Sequence, residues 1–527
     1  MDVKQLEEGL REGRIEPGRL IDLLEAQQKV LAETESRNRE LESRNRELES
    51  HYHELKSRNS ELEESVQELR KKLQEAFPDR LKESYSVKAE EQRQKARGRK
   101  PKKKKRKKPS RRGRIRNADK LRMAQRQEDV YPEGVDRDKC WLSHSRPIWR
   151  LIDGRAVLVA YHVYRGPNDT YGKIPGTLGR SEYGLEITIT IAFLVYVMGL
   201  SLDKVCALLK FFQDLDVRKS QVDSLLNQLG RHWEQEFETL CTLLAHSAMV
   251  HADETSWSIR SVWAFLSEKA SVILFGVNKS AETLKEILDA ATFAGILISD
   301  DAAVYARFNN CQKCWAHLLR KAIKLTLLFP KNKDYRELAD EMLDIYREAV
   351  RIQNDGRMKT AGRMEKVKAL EDRVLGICGP AWFAELPRQD GPEDGYRLLC
   401  NEMMRLLLEG QLFTFVTAEP VETPRGDMIS VPGTNNASEQ ELRTPAQCRV
   451  TGRTNKKERG ARRQTIVFSV LESLRKYLDC FTLREVLKEV ERWDICGRSC
   501  FAELLEKLNL QRSKKSILDT LLPLPSD

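Results

Sequence analysis

The sequence lacks an apolar run long enough to cross a membrane. Its longest uncharged stretch, Ile187–Leu202, has 16 residues and includes three Ser or Thr, whereas a spanning helix takes roughly 20 mostly apolar residues. We therefore predict a buried helix there and no membrane partner. The N-terminus, MDVKQLEEGL, is polar and acidic and does not predict a secretory signal.

A disulfide framework is also missing. The 11 cysteines of this 527-residue chain are scattered without regular spacing, which argues against a small disulfide-stabilised scaffold and predicts a reducing, cytoplasmic location. Charged residues make up 32% of the chain and apolar residues 40%. These proportions predict a folded protein with real cores, and the length predicts two to four domains.

The net charge of +11 is concentrated in one segment. Residues 93–116 read RQKARGRKPKKKKRKKPSRRGRIR and hold 16 Lys and Arg with no acid, and taking these from +11 leaves −5 for the rest of the chain. Such a segment cannot fold alone. It predicts a tether for DNA phosphates, with a solubilising linker as the alternative. The residues predicted to contact DNA here are Lys102, Lys103, Lys104, Lys105, Arg106, Lys107 and Lys108.

A leucine heptad repeat precedes the basic segment. The repeated residues are Leu41, Leu48, Leu55, Leu62 and Leu69. This pattern predicts a parallel coiled coil that makes a homodimer or higher oligomer. A single amphipathic helix packed on its own chain is the alternative. A leucine-zipper transcription factor does not fit, because its basic helix precedes the zipper.

Two short helices are predicted in the middle of the chain. Ser201–Phe212 and Ser220–Leu229 each carry one apolar face, and Ser220 with Asp223 has the pattern of a capping box. The pair could be a helix-turn-helix that reads DNA, or an ordinary part of a core. Ahead of it, the β-branched and aromatic run VLVAYHVY at Val157–Tyr164 predicts a small β-rich module.

Three acidic residues follow a pattern that predicts an active site. AMVHADETSW, SVWAFLSEK and SVILFGVN are predicted as strands, AETLKEILDAAT as a helix and GILISDD as a fourth strand. This order matches the first half of a ribonuclease H-like α/β fold, with Asp253 in the first strand and Asp300 ending the fourth. Strand ends carry the active sites of open α/β sheets. GTNNASEQELR offers a third acid, Glu439, on a later helix.

Three carboxylates at one point repel one another unless cations lie between them. We therefore expect two Mg²⁺ ions, with Mn²⁺ as a possible substitute, where Asp253 bridges both ions and Asp300 and Glu439 each hold one. Singly, each acid has a structural alternative. Asp253 could be a polar strand-end residue, Asp300 or Asp301 a turn residue, and Glu439 a capping-box glutamate.

The motifs themselves carry a resemblance. HADET, ISDDAAVY with CWAHLLRK, and NNASEQELR with TGRTNKK and RGARR resemble the transposases of the insertion sequence 66 family, and the resemblance runs from the zipper to about Tyr477. It implies a DDE ribonuclease H-like catalytic domain with Asp253, Asp300 and Glu439 as the triad. It also implies an N-terminal zipper and a helix-turn-helix. The family usually has Asp-Gly at the second acid, which favours Asp300 over Asp301.

Cys314 and His317 match a Cys-x-x-His signature found near the active site of related transposases. With Cys311 they make C-x2-C-x2-H, one ligand short of a structural zinc site, so we expect packing rather than structural zinc. The family usually carries a cysteine-rich zinc module ahead of the helix-turn-helix. This chain has only Cys140 there, which predicts a metal-free β fold in its place.

A second basic stretch follows Glu439. Its eight Lys and Arg, against the single acid Glu458, predict a grip on the phosphates of the transposon end, with a solvated loop as the alternative. These residues are Arg443, Arg449, Arg453, Lys456, Lys457, Arg459, Arg462 and Arg463.

The sequence thus predicts a multi-domain chain. Its regions are a coiled coil at 1–78, a basic linker at 79–125, a β-rich module at 126–190, a helical region at 191–245, a first catalytic part at 246–330, a helical insertion at 331–430, and a second catalytic part at 431–527. We expect a nucleoid-associated DNA transposase that binds terminal inverted repeats, exposes 3′-hydroxyls and joins them to target DNA, with small accessory proteins implied by the resemblance. The alternatives are a catalytically idle DNA-binding derivative and a nuclease or resolvase that cuts without joining.

Overall fold

The computed structural model describes residues 115–383, 392–513 and 515–524. Nearer the N-terminus it describes Arg39, Ser43 and Arg46, which are helical and exposed. The predicted leucine repeat and residues 102–108 of the basic tether lie outside the described residues. In the part that is described, no helix has the length and apolar character needed to span a bilayer.

A three-stranded sheet forms the first folded region, after the short helix α1 (Asn117–Met123). Its strands are β1 (Arg126–Val130), β2 (Trp141–Ile152) and β3 (Arg155–Arg165), in the order β1-β3-β2. β2 and β3 form an antiparallel hairpin, and β1 runs parallel to β3. Asp153 and Gly154 make the tight turn, and both have positive φ as an Asp-Gly hairpin turn requires. A β-rich module is present where the sequence predicts one.

Four helices follow the sheet. They are α2 (Leu185–Ala192), which continues as a π-helical stretch at Phe193–Val197, α3 (Leu202–Gln213), α4 (Lys219–His232) and α5 (Glu234–Ala245). The predicted buried helix corresponds to α2, whose residues are almost all inaccessible to solvent. The predicted helix pair corresponds to α3 and α4, and their apolar faces belong to the same core as the central sheet. That packing favours the alternative in which the pair is part of a core.

The capping prediction for α4 is wrong. The helix begins at Lys219, and its cap is made by Gln221 Oε1, which accepts a hydrogen bond from the Arg218 backbone N–H at 2.9 Å. Asp223 cannot take part, because its carboxylate forms an ion pair with Arg463 at 2.7 Å. Asp223, which the local pattern predicts as part of a helix cap, is therefore paired with Arg463, a residue far away in the sequence.

A five-stranded mixed sheet is the centre of the molecule. Its strands are β4 (Met249–Ser256), β5 (Ser261–Ser267), β6 (Ser271–Val277), β7 (Ile296–Ser299) and β8 (Cys311–Lys313), and helix α6 (Ala281–Ile287) connects β6 to β7. The strand order is β6-β5-β4-β7-β8. β4, β5 and β6 are antiparallel neighbours, whereas β7 and β8 run parallel to β4. β5 and β6 are buried along their whole length, as continuous apolar strands should be.

A helical insertion follows β8 and has its own hydrophobic core. Its elements are α7 (Trp315–Leu328), α8 (Lys333–Asn354), α9 (Thr360–Phe383), α10 (Pro392–Leu408), α11 (Thr414–Thr417), β9 (Val421–Glu422) and β10 (Met428–Ile429). Trp315, Met342 and Phe415 are fully buried at its centre. Helices make up most of this region, and two short strands lie near its end.

The C-terminal part returns to the central sheet. Its helices are α12 (Asn436–Glu441), α13 (Arg443–Val450), α14 (Glu458–Tyr477), α15 (Leu483–Cys496), α16 (Cys500–Lys507) and α17 (Ile517–Leu521). Helix α14 packs along the edge strand β6. Thr465, Ser469 and Ser473 lie four residues apart on it, and their hydroxyls accept hydrogen bonds from backbone N–H groups of β6, each at 2.9 Å. The helix thus supplies the partners that another strand would give this edge.

Candidate active site

Asp253 lies on the central strand β4, towards its C-terminal end. β4 pairs in parallel with β7, and His251 is opposite Ile298. Two residues further along both strands, this register reaches Asp253 and Asp300. The two predicted acids therefore lie at the same end of adjacent strands, although 47 positions separate them in the sequence.

Asp300 directly follows Ser299, the fully buried last residue of β7. Its Oδ1 accepts a hydrogen bond from the Ala302 backbone N–H at 3.0 Å, and its carbonyl oxygen accepts one from Lys313 Nζ at 3.1 Å. Lys313 is itself buried. These bonds fix the backbone and the carboxylate at the strand end.

Asp301 has a different environment from Asp300. Its carboxylate forms an ion pair with Arg405, on helix α10 of the insertion. Of the two adjacent acids, Asp300 is the one whose charge acts on Asp253. The geometry therefore favours Asp300 as the second acid of the site.

Glu439 reaches the site on the short helix α12, which packs against β4 and β5. Asn435, just before this helix, is fully buried. Its Nδ2 donates to the Ala252 carbonyl at 2.8 Å, and its Oδ1 accepts from His251 Nδ1 at 3.0 Å. Burial lowers the pKa of His251 to about 4, so the ring is neutral. The Asn435 backbone N–H donates to Cys314 Sγ at 3.1 Å. One amide therefore connects the Glu439 helix to strand β4.

The electrostatics of Asp253 include the charges of the other two predicted acids. The pKa of Asp253 is raised to about 7, and burial is the largest cause, with smaller contributions from the negative charges of Glu254, Asp300 and Glu439. The Glu254 backbone N–H, which donates to Asp253 Oδ1 at 2.8 Å, partly opposes this shift. A cation placed among these carboxylates would relieve their repulsion.

The pKa of Asp253 predicts how the stability of the metal-free protein depends on pH. The folded-state pKa lies above the ordinary value of 3.8, so between about pH 4 and 7 the folded protein keeps a proton that the unfolded chain has released. The free energy of unfolding should therefore fall as pH rises through this window. We expect Asp253→Asn to flatten that fall in urea unfolding with a chelator present. The control Asp340→Asn changes an exposed carboxylate of α8 and should show the same fall with pH as wild type. Identical pH profiles for wild type and Asp253→Asn would show that the pKa of Asp253 is not raised.

Glu439 is held by a cation. Arg320 Nη2 on α7 donates to both carboxylate oxygens, at 2.6 and 2.9 Å, and the Arg320 side chain is 54% exposed. His317 Nδ1 lies 3.6 Å from Glu439 Oε1. The Glu439 side chain is 28% exposed, so this ion pair is open to solvent on the Arg320 side more than on the Glu439 side.

A comparison with protein families decides what kind of protein carries this site. The family model described as Transposase IS66 family matches residues 180–463, which is more than half of the chain. The chain belongs to the IS66 transposase family. No curated protein gives a significant match. Membership makes DNA a partner of the chain, and the matched region includes all three acids.

Cys314 and His317, the residues of the Cys-x-x-His pattern, lie beside Glu439. Cys314 is the buried residue that precedes α7, and His317 follows one turn later. Cys311 is not part of this cluster, because its Sγ lies on β8 and donates to the Phe308 carbonyl at 3.1 Å. The structure thus separates the first cysteine of C-x2-C-x2-H from the other two residues.

The basic stretch of the transposase divides into an exposed and a buried part. Arg449 lies against the end of β4, where it donates to the Ser256 carbonyl at 2.9 Å, and Arg453 donates to the Gly199 carbonyl. The exposed members are Arg443, Arg449, Lys456, Lys457 and Arg459. Arg449 therefore places one exposed cation of this stretch at the end of the strand that carries Asp253.

Arg462 and Arg463 are removed from the predicted DNA interface. The Arg462 guanidinium is buried and donates to Asp519 at 2.8 Å, and the Arg463 guanidinium is bonded to Asp223 and to the Tyr196 hydroxyl, both at 2.7 Å. Both lie on the first turns of α14, where they fasten the helix to its neighbours. From sequence alone, both residues are predicted to contact DNA in the same way as Arg459, because a count of charges contains no information on burial.

Sequence reasoning missed three residues of the site. Arg320 could have been found, since Cys314, His317 and Arg320 recur every three positions and share one helix face. Lys313 and Asn435 carried no such signal. Asn435 stands beside the exposed Asn436, and only the packing against β4 distinguishes the two.

Proposed function

We propose that this IS66 transposase is a DDE enzyme with a ribonuclease H-like catalytic domain. It binds the terminal inverted repeats of its element, hydrolyses a phosphodiester to expose a 3′-hydroxyl, and joins that hydroxyl to target DNA by direct transesterification. The observation that carries the proposal is the convergence of Asp253, Asp300 and Glu439. The strand order β6-β5-β4-β7-β8 supports it, because it places both aspartates at one end of the sheet.

The donor set fits divalent metal ions of the hard type. Asp253, Asp300 and Glu439 offer carboxylate oxygens, the donors that Mg²⁺ prefers. The pKa of Asp253 is raised mainly by burial and also by the neighbouring carboxylates, and a cation would offset both causes. These residues would hold two Mg²⁺ ions, which supply activation of the attacking oxygen and charge neutralisation at the leaving oxygen. The buried Lys313 and the Asn435 bridge keep the acids in place around that position.

The DNA-binding part of the proposal rests on charge beside the site. Arg449, one of the exposed cations of residues 443–459, lies at the end of β4, so a phosphate backbone held there would lie near Asp253. In this proposal the tether at 93–116 adds non-specific affinity for DNA. The coiled coil joins copies of the chain into an oligomer. Because the apolar face of α4 is buried in the core, only its exposed face, which carries Ser224 and Arg231, is available to contact DNA in this proposal.

A strand-transfer assay on the full-length protein tests the proposed function. The substrates are the DNA ends that flank the coding region, supplied uncut and precut, with a target plasmid and Mg²⁺. We expect cleavage of the uncut end and joining of the precut end. Cleavage without joining would identify a nuclease or resolvase, and binding without either reaction would identify an idle derivative.

Removal of Arg320 should strengthen metal binding. The guanidinium holds Glu439 and repels an approaching dication, and an exposed ion pair of this kind is worth about 0.2–1 kcal/mol. We expect Arg320→Ala to increase Mn²⁺ affinity up to about fivefold in calorimetric titrations. The matched control is Arg347→Ala, which removes an exposed arginine paired with Asp344 on α8. An Mn²⁺ affinity equal to wild type in Arg320→Ala would show that Arg320 does not compete with metal for Glu439.

A further inference from the structure

A second set of possible metal ligands overlaps the edge of the carboxylate site. One ligand atom each from Cys314, His317 and Glu439 lies within 4.8 Å of the others. Sulfur and nitrogen donors distinguish this set from the three carboxylates, and they come from residues that the proposed reaction does not use. Such a combination suits borderline ions such as Zn²⁺ and not Mg²⁺.

The ligand atoms are prepared by their surroundings. His317 Nδ1 is buried and has no hydrogen-bond partner among the described residues, so its lone pair is free for a metal. Cys314 Sγ accepts the Asn435 backbone N–H at 3.1 Å. Burial raises the pKa of this thiol, and the hydrogen bond partly opposes that rise. Hydrogen bonds of this kind orient ligands in known metal sites.

The size and openness of the site fit an exchangeable ion. Zinc bonds of about 2.0–2.3 Å put tetrahedral ligand atoms roughly 3.5 Å apart, so small side-chain rotations close the set. Three protein ligands leave one position for water. Cys314 and His317 also line a cavity of 240 Å³ together with Asp300 and Lys313, through which an ion can enter.

The geometry points to a thiophilic divalent-cation site made by Cys314, His317 and Glu439. An ion of the Zn²⁺ class bound there takes Glu439 from Asp253 and Asp300, and so inhibits the Mg²⁺-dependent reaction. The site itself stands on the cluster alone, whereas the inhibition rests on the proposed function. Glu439 lies 122 residues beyond His317 in the sequence, which is why the motif alone showed only two of the three ligands.

Cobalt spectroscopy on the metal-free full-length protein tests the site directly. Co²⁺ bound to a thiolate gives a sulfur-to-metal charge-transfer band, and we expect this band to saturate at one ion per chain and to disappear when Zn²⁺ is added. Cys314→Ser should remove the band. Cys480→Ser, at an exposed cysteine, should retain it. His317→Ala should weaken Co²⁺ binding at least tenfold. Because His317 is partly exposed, this variant tests the site even if Cys314→Ser disturbs the fold.

The outcomes separate the site from the proposed function. A charge-transfer band that persists in Cys314→Ser, or no band in wild type, would overturn the site even if Mg²⁺ supports cleavage. If the band depends on Cys314 but no Mg²⁺-dependent cleavage occurs in zinc-free buffer, the metal site stands and the proposed function is wrong. If cleavage occurs and stoichiometric Zn²⁺ does not slow it, the competition for Glu439 is wrong.

Discussion

Asp253→Asn should abolish both cleavage and strand transfer while leaving DNA binding intact. Asp253 lies on β4, which pairs with the strand ahead of Asp300 and packs against the Glu439 helix, so its carboxylate would help to hold the metal ions of the proposed site. Loss of the charge stabilisation that the metal ions supply would raise the free energy of the transition state by several kcal/mol. That corresponds to a fall of about a thousandfold or more in rate. The measurement is single-turnover cleavage of a labelled transposon end in Mg²⁺, with end binding followed by a mobility shift.

The adjacent aspartates provide the matched control for this result. Asp300→Asn should lose activity as Asp253→Asn does, whereas Asp301→Asn should stay within tenfold of wild type, since Asp301 is paired with Arg405. Cleavage at the wild-type rate by Asp253→Asn would remove the DDE assignment. The reverse order of effects at Asp300 and Asp301 would move the second acid by one position.

Asn435→Ala should have the second largest effect, although Asn435 touches no substrate. Its loss leaves the Ala252 carbonyl and His251 without partners in a buried place, at a cost of about 1–3 kcal/mol in unfolding free energy. It also frees the helix that carries Glu439. Substitution of residues that orient metal ligands typically costs 10–100-fold in metal affinity or activity, and we expect a loss of about that size in Mn²⁺ affinity.

Asn436→Ala is a close control, because it makes the same change one residue away at an exposed position. It should leave both Mn²⁺ affinity and urea unfolding near wild type. Equal effects of the two substitutions would show that the helix start, and not the Asn435 bridge, holds Glu439. A loss of stability without a loss of metal affinity would make Asn435 a structural residue only.

Much of the central architecture follows from local sequence. β7 (ILIS) is apolar and β-branched and is followed by two acids, so the position of Asp300 just after a strand can be predicted from the sequence. β4 (MVHADETS) is mixed in character and carries Asp253 as its fifth residue. The parallel pairing of β4 with β7 joins these two acids, and the Asn435 hydrogen bonds join the Glu439 helix to β4. Both depend on residues that meet only after folding.

The failures of prediction have a common physical cause. Asp223 was assigned to a cap and Arg463 to DNA, yet the two residues pair with each other. Each assignment used neighbours in sequence, whereas the ion pair joins residues 240 positions apart. Short patterns predict local structure well, and they predict partners poorly.

The hydroxyl side chains of α14 have a consequence for how copies of this protein can assemble. An uncovered edge strand is a template on which a second chain can add a strand. On β6 the backbone N–H groups of Ser271, Ile273 and Phe275 are already taken. This edge is therefore closed to intermolecular β-sheet growth, and aggregation through it is disfavoured. Any two copies that act together on paired DNA ends must meet through surfaces other than this strand.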